Sequence, residues 1–145
     1  MDRAKVVGGI RNGLIIFVIM VGMVWANTWY RGHGQYTEGE KDFAAGDYKM
    51  AITEYGTAIR MYTPLGGYVP ASLSRLWEIG EGYEKTGQYD WALISYRELR
   101  SGLYAVRSFY SPYSEWIDRS EERIEQVLAL QRAKEQAASG KTGTP

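Results

Sequence analysis

The chain has 145 residues, enough for one domain with a modest core, and 45% of them are apolar. Its 17 Lys and Arg balance 17 Asp and Glu, with no long block of either sign after residue 30, which argues against nucleic acid as a partner because phosphate contacts need a basic stripe. The absence of cysteine excludes disulfides and thiolate metal sites.

In chain order, residues 1–12 form a short basic segment and residues 13–30, GLIIFVIMVGMVWANTWY, carry no charge. As a helix the second stretch is about 27 Å long at about 1.5 Å per residue, close to a hydrocarbon thickness, and it reads as a transmembrane helix. Trp25, Trp29 and Tyr30 gather at its far end, where amphipathic rings favour the headgroup layer. Two other readings are open at this point. Arg3, Lys5 and Arg11 before an apolar run, with small residues around Val24-Trp25-Ala26, also suit a cleaved signal peptide. A buried soluble helix fits less well, because the run has no polar stripe.

Three basic residues precede the span and two follow soon after (Arg31, Lys41), so the positive-inside rule favours a cytoplasmic N-terminus. The rest of the chain then lies outside the cytoplasm, in the periplasm if the membrane is a bacterial inner membrane. Within the span Gly9 and Gly13 are four apart, as are Gly22 and Ala26, a spacing that lets a second transmembrane helix approach closely.

After a linker at 31–35 the pattern becomes helical and punctuated. Gly80, Gly87, Tyr89, Ala92 and Tyr96, moved back by 41 positions, land on Gly39, Gly46, Tyr48, Ala51 and Tyr55, so the chain contains a repeat. The first copy (36–62) predicts helices at about 36–45 and 48–62, with Gly46 as a left-handed cap and Asp47 capping the second helix. Residues 63–70, TPLGGYVP, hold two Pro and two Gly and predict a loop. The second copy (71–106) predicts helices at 71–86 and from Tyr89. Gly80 and Ala92 there should let the pair sit close, since a glycine inside a helix otherwise costs about 1 kcal/mol.

The run of Gly80, Tyr83, Gly87, Tyr89, Ala92, Leu93 and Tyr96 resembles the tetratricopeptide repeat (TPR) family, and Gly39, Gly46, Tyr48, Ala51, Ile52, Tyr55, Ala58 and Pro64 carry a weaker copy. Asp42 stands where the second copy has Tyr83, and Gln35 and Leu76 take the usual tryptophan place, with Tyr36 and Trp77 following by one residue. The 41-residue offset also exceeds the family's period of about 34. The resemblance covers about half the chain and implies an all-α fold: a transmembrane helix, then a short TPR-like solenoid of two helix pairs over 36–110 with a capping helix at 111–134. It also implies a concave protein-binding groove lined by the first helix of each pair, at Tyr36, Glu40 and Phe43 and then Trp77, Glu81, Glu84 and Lys85. Aromatic side chains beside charges suit an extended peptide or a partner helix. An alternative assigns Tyr36 and Trp77 to the core.

Stacked repeats need a cap, and Ser111 with Pro112 predicts the start of one, followed by the apolar stripe Tyr113, Trp116, Ile117, Ile124, Val127 and Leu128. Residues 135–145 read as a flexible tail. Chemistry finds little support. His33 is the only histidine, and the carboxylates Glu78, Glu81 and Glu84, and Glu121, Glu122 and Glu125, fall at spacings typical of a solvated helix face. Arg107, Arg119 and Arg123 suggest a basic wall on the third unit. No metal, cofactor or enzymatic activity is expected. The expected role is a membrane-anchored adaptor that binds a protein partner and helps assemble an envelope complex. The anchored RSFYSPYSEWIDR segment resembles inner-membrane machinery such as ion-driven biopolymer-transport motors. A self-assembling membrane subunit is the alternative.

Overall fold

A computed structural model of the chain describes the backbone of residues 3–108 and 110–141 and the side chains of 8–108 and 110–139. All regular structure among these residues is helical: α1 (Arg3–Ala44), α2 (Tyr48–Arg60), α3 (Tyr68–Lys85), α4 (Tyr89–Ala105) and α5 (Ser114–Lys141). The side chains of Arg3 and Lys5, on which the orientation argument draws, and residues 142–145 of the expected tail lie outside the described residues.

The 41-residue repeat is visible as two turns with the same backbone hydrogen bonds. At the end of α1, Gly46 has φ +79°, its N–H donates to Phe43 O, and Asp47 N–H donates to Asp42 O. At the end of α3, Gly87 has φ +70°, its N–H donates to Glu84 O, and Gln88 N–H donates to Tyr83 O. A left-handed residue satisfies the last helical carbonyls this way, and glycine adopts it without a steric penalty. Asp47 then caps α2 by accepting from Met50 N–H at 3.2 Å, whereas Gln88 makes no side-chain cap for α4.

Each turn folds its two helices back on one another. Across the first, Phe43 meets Tyr48 and Tyr36 meets Tyr55; across the second, Tyr83 meets Trp91 and Trp77 meets Tyr96. Partners drawing apart along the sequence on both sides are the mark of antiparallel packing. The close approach rests on glycine. A Cβ on Gly39 would stand 2.8 Å from the Tyr55 ring, and one on Gly80 would stand 2.5 Å from that of Tyr96. The residue seated on Gly80 is therefore Tyr96 and not the expected Ala92, which instead joins Leu93, Ile124 and Val127 in the cluster that α5 closes over α4. The main core runs through Tyr55, Ile59, Leu73, Leu76, Leu99 and Leu103. There α2 and α4 touch at a second glycine, Gly102, beside Ile59.

Four boundaries differ from those the sequence predicts. The linker expected at 31–35 does not interrupt the chain, because α1 continues through it to Ala44. Gly32 and Gly34 invite a break there, yet Gly32 is buried under Tyr68, and that tertiary contact overrides weak helix propensity. Helix α3 begins at Tyr68, so Pro70 lies inside its first turn, where a missing N–H costs nothing. Helix α5 begins at Ser114, not at Ser111, after Tyr113 takes φ +56°. The tail at 135–145 is helical as far as Lys141. Leu65, in the loop between α2 and α3, is the other non-glycine residue with positive φ, at +68°; such a conformation costs about 1–2 kcal/mol.

Candidate functional site

Of the seven residues expected to line a groove, two carboxylates are turned to internal work. Glu40 accepts from Arg75 through both oxygens, at 2.8 and 2.9 Å, and from the Tyr55 hydroxyl at 2.6 Å. Glu84 repeats the pattern: Arg123 donates to both oxygens at 2.9 and 2.8 Å and the Tyr96 hydroxyl donates at 2.6 Å. Each clamp takes its carboxylate from the first helix of a hairpin, its phenol from the second, and its guanidinium from the next helix in the chain. Two-point Arg–carboxylate contacts fix relative orientation as well as adding energy, so these groups set the register between successive units. Hydrogen bonding from Arg75 holds the Glu40 carboxyl below the usual carboxylate range. Burial first, and then the accepting carboxylate, push the Tyr55 and Tyr96 phenols far above their ordinary value.

Tyr36 and Trp77 are half-buried against the same tyrosines, with ring centroids 5.9 and 5.0 Å away, which favours their assignment to packing. Trp77 also donates its indole N–H to Glu81 at 2.7 Å and lies beneath the Arg119 guanidinium at 3.9 Å.

The remaining members do meet. Phe43, Glu81 and Lys85 share an open groove of about 420 Å³ with Tyr48, Glu78 and Tyr83, between the end of α1, the start of α2 and the last turns of α3. Its floor is aromatic: the Tyr48 and Tyr83 rings lie edge to face at 6.2 Å, and Tyr48 packs on Phe43 at 5.3 Å. Its rim is charged, and Arg75, which sits over the Phe43 ring at 4.5 Å, ties Glu78 at 2.9 Å. Burial, with a smaller contribution from Asp47, raises the Tyr83 phenol above its ordinary value. Sequence reasoning misses Arg75, which links the clamp to the groove; its three-residue spacing to Glu78 was the available signal.

The described tail does not fill this groove. α5 runs back along α4, with Gln131 donating to Asp90 and Lys134 to Gly87 O, on a different side. Arg107, Arg119 and Arg123 form no common wall. Arg119 and Arg123 are held by Trp77 and Glu84, and Arg107 follows the end of α4. His33 stacks on Trp29 at 5.4 Å in place of standing free in a linker. Among the described residues no group of three His, Asp or Glu is placed to hold a metal ion.

In the N-terminal part of α1, Gly9, Gly13, Gly22 and Ala26 are all exposed, and a Cβ on any of the three glycines would meet nothing within 4 Å. At about 100° per residue the Gly9/Gly13 pair lies about 140° around the helix from the Gly22/Ala26 pair, so one partner helix cannot use both. One described helix is long and apolar enough to cross a membrane, and the apolar stretch that qualifies it is 0% buried. No family model, curated protein or solved structure matches this chain.

Proposed function

We propose that the chain is a single-pass membrane adaptor: a TPR-like pair of hairpins held beside the bilayer by α1, with the groove at Phe43, Tyr48 and Tyr83 as the docking site for a protein segment. The observation that carries this reading is an open, aromatic-floored groove left unfilled by the described chain, at the end of the bundle farthest from the apolar part of α1. An apolar anchor flanked by a charge that pairs with Glu78, Glu81 or Lys85 fits it, as does the end of a partner helix. Attachment to the bilayer raises the effective concentration of a neighbouring membrane protein, so a modest groove suffices. A bacterial inner membrane with the bundle in the periplasm, and an envelope complex such as an ion-driven transport motor, is the proposed setting; it rests on the basic residues around the span and on the RSFYSPYSEWIDR segment.

The test is crosslinking in native membranes followed by purification of the full chain in mild detergent. A partner should be recovered with the wild type, and much less of it with the exposed-rim variant Lys85→Glu at an unchanged melting temperature; Tyr48→Ala should also lower recovery, with a lower melting temperature because its ring packs on Phe43 and Tyr83. Recovery only as a free monomer would sink the adaptor reading. The second reading, self-assembly through the membrane helix, draws on the open Gly22 face; Gly22→Ile should then dissolve an oligomer and leave groove binding intact.

A further inference from the structure

The loops α2–α3 and α4–α5 stand at the same end of the bundle, and their geometry is specific. Because α1 has no linker, the bundle cannot swing away from the span. Tyr68, at the start of α3, lies on Gly32 of α1 and donates to Met61 O at 2.5 Å, with Thr63 Oγ1 2.9 Å from its hydroxyl, so the α2–α3 loop is fastened to α1. Tyr62, Thr63 and Pro64 then share a shallow apolar groove along α1 that runs from Phe17 and Met20 to Trp25 and Thr28. The uncharged run 13–30 is about 27 Å long, no longer than a hydrocarbon core, and any tilt shortens its reach. Its Trp25–Tyr30 end therefore cannot be lifted clear of the interface, and the loop packed along α1 from Thr28 down toward Phe17 must reach at least that depth.

What this loop presents matches the location. Leu65 is 99% exposed in a left-handed conformation, a combination with no benefit in water. Antiparallel packing brings the α4–α5 loop to the same end, where Tyr113, also at positive φ, meets the Tyr62 ring at 6.5 Å and Tyr110 is 67% exposed. Charge follows the same axis. Residues 55–77, 99–114 and 3–37 contain no Asp or Glu, and Arg31 and Arg107 are exposed there; the nearest acidic groups along the chain after the second loop, Glu115 and Asp118, stand exposed on the first turns of α5. The two loops themselves thus carry no carboxylate, which suits a surface facing anionic headgroups.

We propose that the α2–α3 and α4–α5 loops are a second membrane contact, inserting Leu65 and Tyr110 into the headgroup layer of the leaflet from which α1 emerges. The contact is continuous with the span and holds the bundle at one orientation, with the groove of Phe43 and Tyr83 turned away from the bilayer. It rests on the reading of α1 as a membrane anchor.

The chain lacks cysteine, so single-cysteine variants can carry a spin label without background. Leu65→Cys and Tyr110→Cys, with Met20→Cys in the span and Thr86→Cys in the distal turn as references, are reconstituted as full chains in phosphatidylethanolamine vesicles containing phosphatidylglycerol. Collision with oxygen, which concentrates in lipid, is compared with collision with a water-soluble nickel chelate. Positions 65 and 110 should favour oxygen over the chelate several-fold more than position 86 and less than position 20. If 20 reads lipid while 65 and 110 match 86, the second contact is wrong and the anchor stands. If 20 also reads water, both fail. A label at 65 shielded from both probes would place another protein copy there and overturn the lipid assignment.

Discussion

The two hairpins share a sequence offset of 41, yet they build the same clamp from different positions. Tyr55 and Tyr96 are equivalent, as are Gly39 and Gly80 beneath them and Tyr36 and Trp77 beside them. The carboxylates are not. The equivalent of Glu40 is Glu81, which accepts from Trp77, and the equivalent of Glu84 is Phe43, which lies under Arg75. A phenol over a glycine creates a fixed polar point between helices, and a carboxylate either one or four residues beyond the glycine can reach it. The repeat thus preserves the point to be satisfied while leaving open the residue that satisfies it. This asymmetry also shapes the surface, because the first hairpin has Phe43 left for the groove and the second does not.

Burial separates the two clamps: the Glu84 side chain is 10% exposed and that of Glu40 is 31% exposed. Glu84→Gln should therefore have the largest effect, a loss of about 2–3 kcal/mol read by urea unfolding of the detergent-solubilised chain, since it removes charge-assisted bonds and leaves Arg123 poorly paired. A loss no greater than that of Glu40→Gln would show the clamps to be equal. Gly80→Ala should cost about 1–2 kcal/mol net, because Tyr96 is fully buried, tethered at Glu84 and unable to yield, and this outweighs the helix gain. Glu40→Gln should cost about 1 kcal/mol, reduced by solvent screening of a pair about a third exposed.

The Glu40 clamp has a pH signature. Its carboxyl lies below the usual 4.5, so its stabilisation is complete above that pH and is lost as the pH falls through the depressed value. Melting curves of wild type and Glu40→Gln should differ at neutral pH and converge as the pH is taken progressively below 4.5; a gap that does not narrow would assign the effect to packing. The smallest change expected is Gly82→Ala, on the same helix as Gly80 but with nothing within 4 Å of a Cβ, which should stabilise by up to about 1 kcal/mol.

Much of this architecture is legible from residues alone because it is local. Left-handed Gly46 and Gly87, the Asp47 cap and the apolar spacing of Ala51, Tyr55 and Ile59 each act within a few positions. The groove was half legible: Phe43, Glu81 and Lys85 meet there, but Tyr48 and Tyr83 stood out only as repeat positions, and periodicity does not tell a ring that lines a groove from one that fills a core. The continuity of α1 through Gly32 and Gly34 was hidden for the opposite reason. Two glycines near an aromatic cluster look like a hinge until Tyr68 from α3 covers one of them.

The sequence by itself determined an all-helical chain, an uncharged N-terminal run as long as a bilayer core, and a twofold repeat, since each follows from helix period, glycine caps and hydropathy over short windows. Only the tertiary structure decided which carboxylates the arginines clamp. Arg75 and Arg123 reach Glu40 and Glu84 from 35 and 39 residues away, and no local pattern can say which of several helical glutamates such a guanidinium will find. It likewise decided that the α2–α3 loop packs against the apolar part of α1 and that Tyr113 of the α4–α5 loop meets it at Tyr62, because that follows from the direction in which packed helices return.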